Sequence, residues 1–248
     1  MKRQGGSADG ECGYSGSKSQ EAIAHQELGR LLVYRGKWAE TAEELDTALT
    51  MFEQQNNTQG QCNIWTHLAL ESLLRVRVGV IEAAVVALSA AGRSLELAEE
   101  TVRTQRPYPR DFVRAYWLLG AAHRVSGNLS PSDTHLSNAL TRCRTIDMVD
   151  HEADILLYLA RLLTDQGQAE EALRLAQEAL IITDRCGYVL QGADVRLFLA
   201  RRVLAGGERG VALGYAREAR RLAEGDGGEF VYRVAYDEAG ALLAENNS

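Results

Sequence analysis

The sequence predicts an all-α fold, a superhelix of about five helix pairs followed by one C-terminal capping helix. A spacing of 40 residues recurs along the chain and is the strongest support for this prediction. It relates three sets of positions, one of glycines, one of alanines and one of leucines: Gly127, Gly167 and Gly207; Ala139, Ala179 and Ala219; Leu119, Leu159 and Leu199. A fixed period of this kind is typical of arrays in which each helix pair packs against its neighbours.

The amino-acid composition also favours helices, and the net charge disfavours some classes of binding partner. Of the 248 residues, 46% are hydrophobic, 25% are charged and only 3 are proline, which is more typical of helices than of sheets. The net charge of -7 disfavours binding to a nucleic-acid backbone or to an anionic membrane. No apolar run reaches the roughly 20 residues of a membrane-spanning helix. We therefore expect neither nucleic acid nor membrane as a partner.

Residues 1–20 differ in composition from the rest of the chain. They are rich in glycine and serine and contain few apolar side chains. Such a segment buries too little apolar surface to offset the entropy that it loses on ordering. We therefore predict a flexible tail over residues 1–20 and the folded array over residues 21–248.

The first unit is predicted over residues 21–56. Leu28, Leu31 and Leu32 recur at helical spacing and predict its first helix, which should end near Gly36. A second apolar set, between residues 38 and 52, predicts the second helix. Because each set lies on one face of its helix, the two helices can pack against each other as a pair.

The second unit, over residues 58–104, departs from the regular spacing. Gly79 follows Leu68 by 11 residues, whereas the corresponding interval in the third unit is 8, so its first helix should carry three extra residues. The connection to the third unit is also longer. It contains Pro107 and Pro109, which prevent a continuous helix, and it carries Tyr108 at its tip. We expect this connection to be a local specialisation of the array.

Three further units are predicted over residues 111–147, 150–187 and 190–227. In the third unit, Ser130 and Pro131 suit the start of a second helix, as the capping residue and the first helical residue. Residues that tolerate a left-handed backbone mark the unit ends: Asn56, Asp147, Gly187 and Gly227. A capping helix over residues 231–245 is expected to cover the apolar end of the stack.

These features resemble the tetratricopeptide repeat, whose helix pairs carry large and small residues in a fixed order. In the third unit this order reads Leu119, Gly120, Gly127, Leu136 and Ala139, and similar orders recur in the first, fourth and fifth units. The resemblance implies a right-handed superhelix with a concave groove. The period of 40 exceeds the family's usual length of about 34. Longer repeats of this kind are similar to the C-terminal sensor arrays of bacterial multidomain signal-transduction ATPases.

Small residues are needed wherever two helix backbones approach closely, because a larger side chain would overpack the junction. The alanines at repeating positions of the last two units are therefore predicted to be structural: Ala172, Ala179, Ala212 and Ala219. For Trp117 we expect a place in the core. Tyr188 and Tyr232, beside helix-ending glycines, are instead predicted to be partly exposed.

The sequence shows no recognisable catalytic or metal-binding arrangement. Its five histidines are spread over different units without the spacing of a zinc site. Adjacent carboxylates such as Glu170 and Glu171 point in different directions on a helix. We therefore predict a noncatalytic protein that uses no cofactor and no metal. The four cysteines form no C-x-x-C pair, which is typical of free thiols and favours a cytoplasmic location.

A ladder of charged residues supplies the candidate binding site. Segments of the fourth and fifth units share the pattern A-D-x-x-L-x-L-A-R, which places an aspartate and an arginine two turns apart on one helix face. The resemblance assigns these positions, with their counterparts in other units, to the concave groove: Arg30, Arg114, Arg124, Asp154, Arg161, Asp194 and Arg201. A row of guanidinium groups can hold an acidic peptide, a C-terminal carboxylate or a phosphorylated ligand. We therefore expect a protein segment or peptide as the partner.

Three alternatives remain open at this point. The aspartates and arginines of the ladder can instead neutralise one another across neighbouring helices, since exposed ion pairs contribute only about 0–1 kcal/mol and require no ligand. The chain can be a small-ligand sensor that works with an ATPase or another effector domain, as the resemblance allows. It can also be an assembly scaffold that associates with itself.

Overall fold

A computed structural model describes residues 9–104, 106–225 and 231–246, with side chains from Lys18 onward. These residues form eleven α-helices and no strand, which confirms the predicted all-α fold. The helices are α1 (Asp9–Arg35), α2 (Trp38–Gln54), α3 (Thr58–Arg77), α4 (Ala83–Thr104), α5 (Pro109–Val125), α6 (Leu129–Thr145), α7 (Val149–Asp165), α8 (Ala169–Cys186), α9 (Val189–Ala205), α10 (Arg209–Glu224) and α11 (Arg233–Glu245).

Helices α1 to α10 form five pairs, and α11 follows the fifth pair. Each odd-numbered helix packs against the next odd-numbered helix, so these helices form a continuous inner layer. Each even-numbered helix packs against the odd-numbered helices that flank it, and together they form an outer layer. This two-layer stack is a helical-repeat fold, and its right-handed sense stays a prediction.

The turns within and between pairs use residues that accept a left-handed backbone. The glycines that close the first helices of four units have φ angles of 68°, 78°, 79° and 87°: Gly36, Gly127, Gly167 and Gly207. Among the predicted unit ends, Asn56 and Asp147 have φ angles of 51° and Gly187 has one of 68°. The fourth predicted unit end, Gly227, lies outside the described residues.

Helix α3 is longer than the first helices of the third, fourth and fifth units, as predicted. It contains 20 residues, whereas α5, α7 and α9 each contain 17. The extra length ends at Arg77, whose guanidinium reaches residues of α9 and α11. After α4, the connection that contains Pro107 leads to Tyr108, which precedes the first residue of α5, Pro109.

Two boundaries differ from the sequence predictions. Residues 9–20, predicted as part of a flexible tail, belong to α1, while residues 1–8 lie outside the described residues. Extending a helix that tertiary packing has already nucleated costs little per residue, and the fully buried Ala22 packs this one against the core. Helix α6 begins at Leu129 rather than around Ser130. Pro131 then lies within the first turn, where no N–H donor is needed.

Small residues lie where paired helices approach closely. A β-carbon added to Gly120 would lie 2.6 Å from Leu136 Cγ, so no side chain fits at this crossing without a shift. The four alanines predicted to be structural are all 1% exposed or less. Trp117 packs in the main core, as predicted, with 5% exposure. Tyr232 was predicted to be partly exposed and is instead buried, at 1%, because α1 and α9 contribute to the cluster around it.

The first and last of these helices meet. Tyr34 of α1 and Tyr232, which precedes α11, pack edge to face with ring centroids 5.3 Å apart. Val33 of α1 and Val234 of α11 belong to one buried cluster. The array therefore closes on itself, and its inner layer surrounds a cavity where the resemblance implied an open groove.

Other features of the described residues bear on the classes of function. None of their helices is both long and apolar enough to cross a lipid bilayer. In the same ranges, no cluster of three or more histidine, cysteine, aspartate or glutamate side chains is arranged to hold a metal ion. Cys62 and Cys143 are buried free thiols, and Cys186 is an exposed one.

Candidate functional site

The inner layer encloses a cavity of about 690 Å³. The first helix of every unit contributes side chains to its wall, together with the connection before α5. The wall residues are Gln26, Glu27, Arg30 and Tyr34 from α1; Gln59, Asn63, Thr66, His67 and Leu70 from α3; Tyr108 from the connection; Pro109, Arg110, Asp111, Arg114, Trp117 and Leu118 from α5; Asp150, His151 and Asp154 from α7; and Leu190 and Gln191 from α9. Outer-layer helices contribute none of these residues.

Helical periodicity explains which side chains of α5 reach the cavity. Asp111, Arg114 and Leu118 are three and four residues apart and therefore lie on one face. Pro109 begins the helix with a backbone angle that suits a first turn. The proline-containing connection thus fixes the start of α5, and with it the position of Asp111 in the first turn of this helix.

Most charged groups of the cavity wall are already paired. Arg30 Nε lies 2.8 Å from Glu27 Oε2, and Arg110 Nη2 lies 2.7 Å from Asp150 Oδ2. Arg114 is held less tightly. Its Nη1 donates a hydrogen bond of 3.3 Å to the side-chain oxygen of Asn63 and lies 3.8 Å from an oxygen of Asp111.

Two carboxyl groups of the wall have raised pKa values. Burial raises the pKa of Asp111 to about 6, although the guanidinium of Arg114 opposes the shift. Burial also raises the pKa of Asp154 to about 7, and the charge of Asp194 adds to the shift, whereas a hydrogen bond of 3.3 Å donated by Gln191 opposes it. Both carboxyl groups therefore exchange protons near neutral pH.

The two histidines of the wall are neutral near pH 7. Burial lowers the pKa of His67 to about 3, and the positive charge of Arg114 contributes to the decrease. Burial also lowers the pKa of His151. The imidazole of His151, whose Nδ1 lies 3.1 Å from Asp150 Oδ2, together with Arg110 lowers the pKa of Asp150 to about 2. At moderately acidic pH, Asp150 is thus ionised whereas its neighbour Asp154 is protonated.

One end of the cavity adjoins a second pocket of about 20 Å³. Six residues line both spaces and form what we call the floor of the cavity: Tyr34, Leu70, Trp117, Asp154, Leu190 and Gln191. The floor therefore combines two aromatic rings with the carboxyl group of Asp154.

An ionic latch lies behind this floor. The guanidinium of Arg77 lies 2.8 Å from Asp194 Oδ1 and 3.0 Å from Glu238 Oε2, and it donates a hydrogen bond of 2.8 Å to the hydroxyl of Tyr232. That hydroxyl in turn donates to Asp194 over 3.0 Å. Burial disfavours the charge of Arg77, but the two carboxylates outweigh it and hold the pKa of the guanidinium above its usual value. The latch joins α3, α9 and α11.

Three of the seven predicted groove residues meet at the cavity, namely Arg30, Arg114 and Asp154. The other four lie elsewhere. Asp194 belongs to the latch and lines only the small pocket. Arg201 is exposed and lies 3.5 Å from Glu238.

Arg124 and Arg161 also lie outside the cavity wall. Arg124 Nε lies 2.7 Å from Asp165 Oδ2, and Arg161 stacks over the ring of Tyr158, 4.8 Å from its centroid. The cavity therefore brings together only part of the predicted ladder, and a binding role for the remaining residues stays a prediction. Positions seven residues apart share a helix face but are separated by about 10 Å along the axis, so only one end of the ladder reaches the cavity.

The alternative of mutual neutralisation is also not what the structure shows. Asp194 pairs with Arg77, and Arg201 lies near Glu238. These partners come from α3 and α11, which lie outside the repeated pattern of the fourth and fifth units. The ladder residues Asp194 and Arg201 are thus ion-paired, but with residues to which the period does not relate them.

Several site residues were not predicted from the sequence. The latch residues Arg77 and Glu238 and the wall residues His67 and Asp111 carry no repeated signature. The three extra residues of α3 were a signal for Arg77, because they extend the helix beyond the regular length. Tyr108 had a signal too, since it lies in the atypical connection and does line the cavity.

The raised pKa of Asp154 predicts a pH-dependent difference between wild type and Asp154→Asn. Its pKa is about 7 in the folded protein against an ordinary value of 3.8, so its contribution to stability is fully present below pH 3.8 and is lost as the pH rises through 7. The variant lacks this loss. The difference in free energy of unfolding, variant minus wild type, should therefore increase as the pH rises from about 4 to about 7. Urea unfolding across this range measures it.

Asp150→Asn is the matched control with the opposite sign. The pKa of Asp150 is lowered to about 2, so its contribution is present above pH 3.8 and is lost only as the pH falls through 2. This variant should be less stable than wild type at pH 7. Each variant is compared with wild type at the same pH, because the lowered pKa of His67 makes the stability of both proteins rise with pH over part of this range. A constant difference for Asp154→Asn from pH 4 to 7 would contradict the prediction.

Comparisons with known proteins identify no family. No family model matches the chain, and no curated protein matches it in sequence. Among solved structures, the chain is similar to BtubC (BKLC) from P. vanneervenii. The two are 16% identical, the match covers 93% of this chain and 88% of that chain, and the TM-score is 0.49. A similarity of this extent assigns neither a family nor a function.

Proposed function

We propose that the chain is a noncatalytic binding module, of the sensor type, that takes one compact polar ligand into the cavity of its inner layer. The observation that carries this proposal is the cavity itself, since about 690 Å³ lies within the roughly 300–1,000 Å³ of small-molecule sites. The ligand would touch the first helix of every unit and would therefore report on the arrangement of the whole array.

Unsatisfied polar groups in the wall support a polar occupant. Asp111 Oδ2 and Trp117 Nε1 are buried and have no hydrogen-bond partner among the described residues. Both residues line the cavity, and they are 2% and 5% exposed. A buried donor or acceptor without a partner costs about 1–3 kcal/mol. A ligand that accepts from the indole or donates to the carboxyl group would reduce this cost.

The side chains of the cavity wall favour ligand binding over catalysis. Carboxyl groups with raised pKa values also occur in catalytic sites, but they act there on a positioned nucleophile or substrate bond. The hydroxyl of Thr66, on the cavity wall, is engaged by Cys62 O and Ser94 Oγ at 3.0 and 2.9 Å. This hydroxyl is therefore not poised for nucleophilic attack.

The closed array favours a compact ligand over the extended protein segment expected from the sequence. Because α1 packs against α11, the inner helices form a ring with no open ends, which favours a ligand held inside the ring over a segment laid along a groove. We retain the tetratricopeptide character of the units, a cytoplasmic location and a link to a signalling effector as parts of the same proposal. The repeated small residues support the tetratricopeptide character, the free thiols support the cytoplasmic location, and the link to an effector rests on the resemblance alone.

A thermal-shift screen of compact amines, carboxylates, sugars and phosphates tests the proposal. A true ligand at one hundred times its Kd should raise the free energy of unfolding by about 2.7 kcal/mol. Asn63 lines the cavity, and Asn63→Phe would place a larger side chain in it. This variant should abolish both the stabilisation by the ligand and the heat of binding measured by calorimetry. Asn63→Ala should retain both, because it leaves the cavity open.

Asn138→Phe is the matched control for this screen. Asn138 is exposed on α6, in the outer layer, and does not line the cavity. Its replacement should leave ligand binding unchanged. If none of the four compound classes stabilises the protein, or if the stabilisation survives Asn63→Phe, the cavity is not the binding site.

A further inference from the structure

We propose that the ligand of the cavity is a compact protonated amine, whose ammonium group binds at the floor between the carboxylate of Asp154 and the rings of Trp117 and Tyr34. This inference rests on the proposed function and specifies its ligand class. It reverses the charge expected from the arginine ladder, which suggested an anionic ligand.

The balance of ion pairs in the wall is the first argument. Glu27, Asp111 and Asp150 each have an arginine within 4.0 Å, at distances of 2.8, 3.8 and 2.7 Å. Asp154 forms no ion pair within 4.0 Å among the described residues. Its hydrogen bond comes from the neutral amide of Gln191, and the charge of Arg161 acts on it from farther along the same helix. Each arginine of the wall lies within 4.0 Å of an acidic side chain, so the wall group without a charged partner at this distance is the carboxyl group of Asp154.

The aromatic rings beside this carboxyl group are the second argument. Trp117, Tyr34 and Asp154 line both the cavity and the small pocket behind it, so they lie together at the floor. The faces of aromatic rings attract cations, and indole attracts them most strongly. A carboxylate that lines the same floor as two aromatic rings is suited to an ammonium group and poorly suited to an anion.

The unsatisfied atoms in the wall are the third argument. Among the described residues no group donates a hydrogen bond to Asp111 Oδ2, although Asp111 is 2% exposed and lines the same cavity from α5. Gln59 acts on the same carboxyl group from α3. A ligand with a second N–H or O–H group can satisfy this oxygen while its ammonium group occupies the floor. The class therefore includes diamines and amino alcohols of a few carbon atoms.

The surroundings of Asp154 also give the binding a pH dependence. The charged and titratable groups around it are Asp150 and Arg161 on its own helix, Asp194 on α9, and Tyr34 on α1. Burial raises the pKa of Asp154 to about 7, and the two other aspartates act in the same direction. Amine binding requires the ionised form, so affinity should rise as the pH increases from about 6 to about 8.

Calorimetry with four five-carbon probes tests the ligand class on the full chain at about pH 8. Cadaverine and pentylamine carry ammonium groups, pentanediol is neutral and glutarate is anionic. We expect the amines to bind at least about 10-fold more tightly than pentanediol and expect no heat from glutarate. Asp154→Asn should weaken amine binding by about 30-fold or more, the effect of removing one partner of a buried charge pair.

Asp165→Asn is the matched control, since Asp165 pairs with Arg124 outside the cavity wall. It should leave amine affinity unchanged. Tighter binding of glutarate than of the amines, amine affinity that survives Asp154→Asn, or no amine binding at millimolar concentration would each overturn this assignment. The proposed function would stand in these cases if another compound binds in a manner sensitive to Asn63→Phe, and it would fail if none does.

Discussion

Replacing Arg77 with alanine is expected to lower the free energy of unfolding by about 3–5 kcal/mol. The side chains of Arg77, Asp194 and Glu238 are only 14–16% exposed, so removing the guanidinium leaves two carboxylates buried without their shared cation. The variant also loses the hydrogen bond to the Tyr232 hydroxyl, over 2.8 Å. The latch is therefore expected to be the most sensitive electrostatic feature of the fold. Urea denaturation followed by circular dichroism measures the loss.

Arg93→Ala provides the control for this measurement. Arg93 pairs with Glu96 on the surface of α4, at 2.9 Å, where the two side chains are 46% and 67% exposed. An exposed pair of this kind contributes about 0.2–1 kcal/mol, so the variant should be nearly as stable as wild type. Equal losses for Arg77→Ala and Arg93→Ala would show that the latch contributes no more than a surface pair.

Gly120→Ala is expected to destabilise the protein by about 1–3 kcal/mol through overpacking. The added methyl group would lie 2.6 Å from Leu136 Cγ and 3.0 Å from the backbone nitrogen of Leu136. Leu136 is fully buried in the main core, so its side chain has no free space to enter. At Gly29 and Gly60 the added methyl group would meet only side chains, which move more readily than backbone.

The same substitution elsewhere should have the opposite sign. Gly214 lies exposed within α10, and a β-carbon there would meet nothing within 4 Å. Alanine is a better helix former than glycine by about 0.5–1 kcal/mol, so Gly214→Ala should raise the free energy of unfolding. Chemical denaturation of the two variants in parallel measures both effects. A neutral or stabilising Gly120→Ala would show that the crossing of α5 and α6 is looser than the distances indicate.

The sequence was sufficient to predict the helix pairs because their signals are local. A glycine that accepts a left-handed backbone ends each first helix, and the recurrence of Gly127, Gly167 and Gly207 sets the length of the unit. The extra length of α3 followed from the same spacing, measured from Leu68 to Gly79. Such features depend on residues within a few turns of one another.

Closure of the array could not be predicted in this way. A period describes how one unit meets the next, and the curvature of a stack accumulates from a small rotation at each step. The contact of Tyr34 with Tyr232 and the pairing of Arg77 with Glu238 join units that are far apart in the chain. No spacing in the sequence relates these residues.

The candidate site was predictable in part for a related reason. The resemblance assigned Arg30, Arg114 and Asp154 to the concave groove, and all three line the cavity. Helical periodicity does not specify the height of a residue along the helix relative to the cavity, which is why Arg161 and Arg201 lie outside the cavity wall. It also could not show that Arg30 and Arg114 would be matched by Glu27, Asn63 and Asp111.

The packing of α1 against α11 affects both the refolding of the chain and the exchange of its amide protons. In a linear array the terminal repeats fray independently, because each is held from one side only. Here the outermost helices share a buried cluster, so their amide protons should exchange with solvent at rates close to those of the central helices. Joining them requires closure of almost the entire chain, which is entropically costly and slow relative to local pairing. Refolding should therefore show rapid helix formation followed by a later kinetic phase in which the two ends dock.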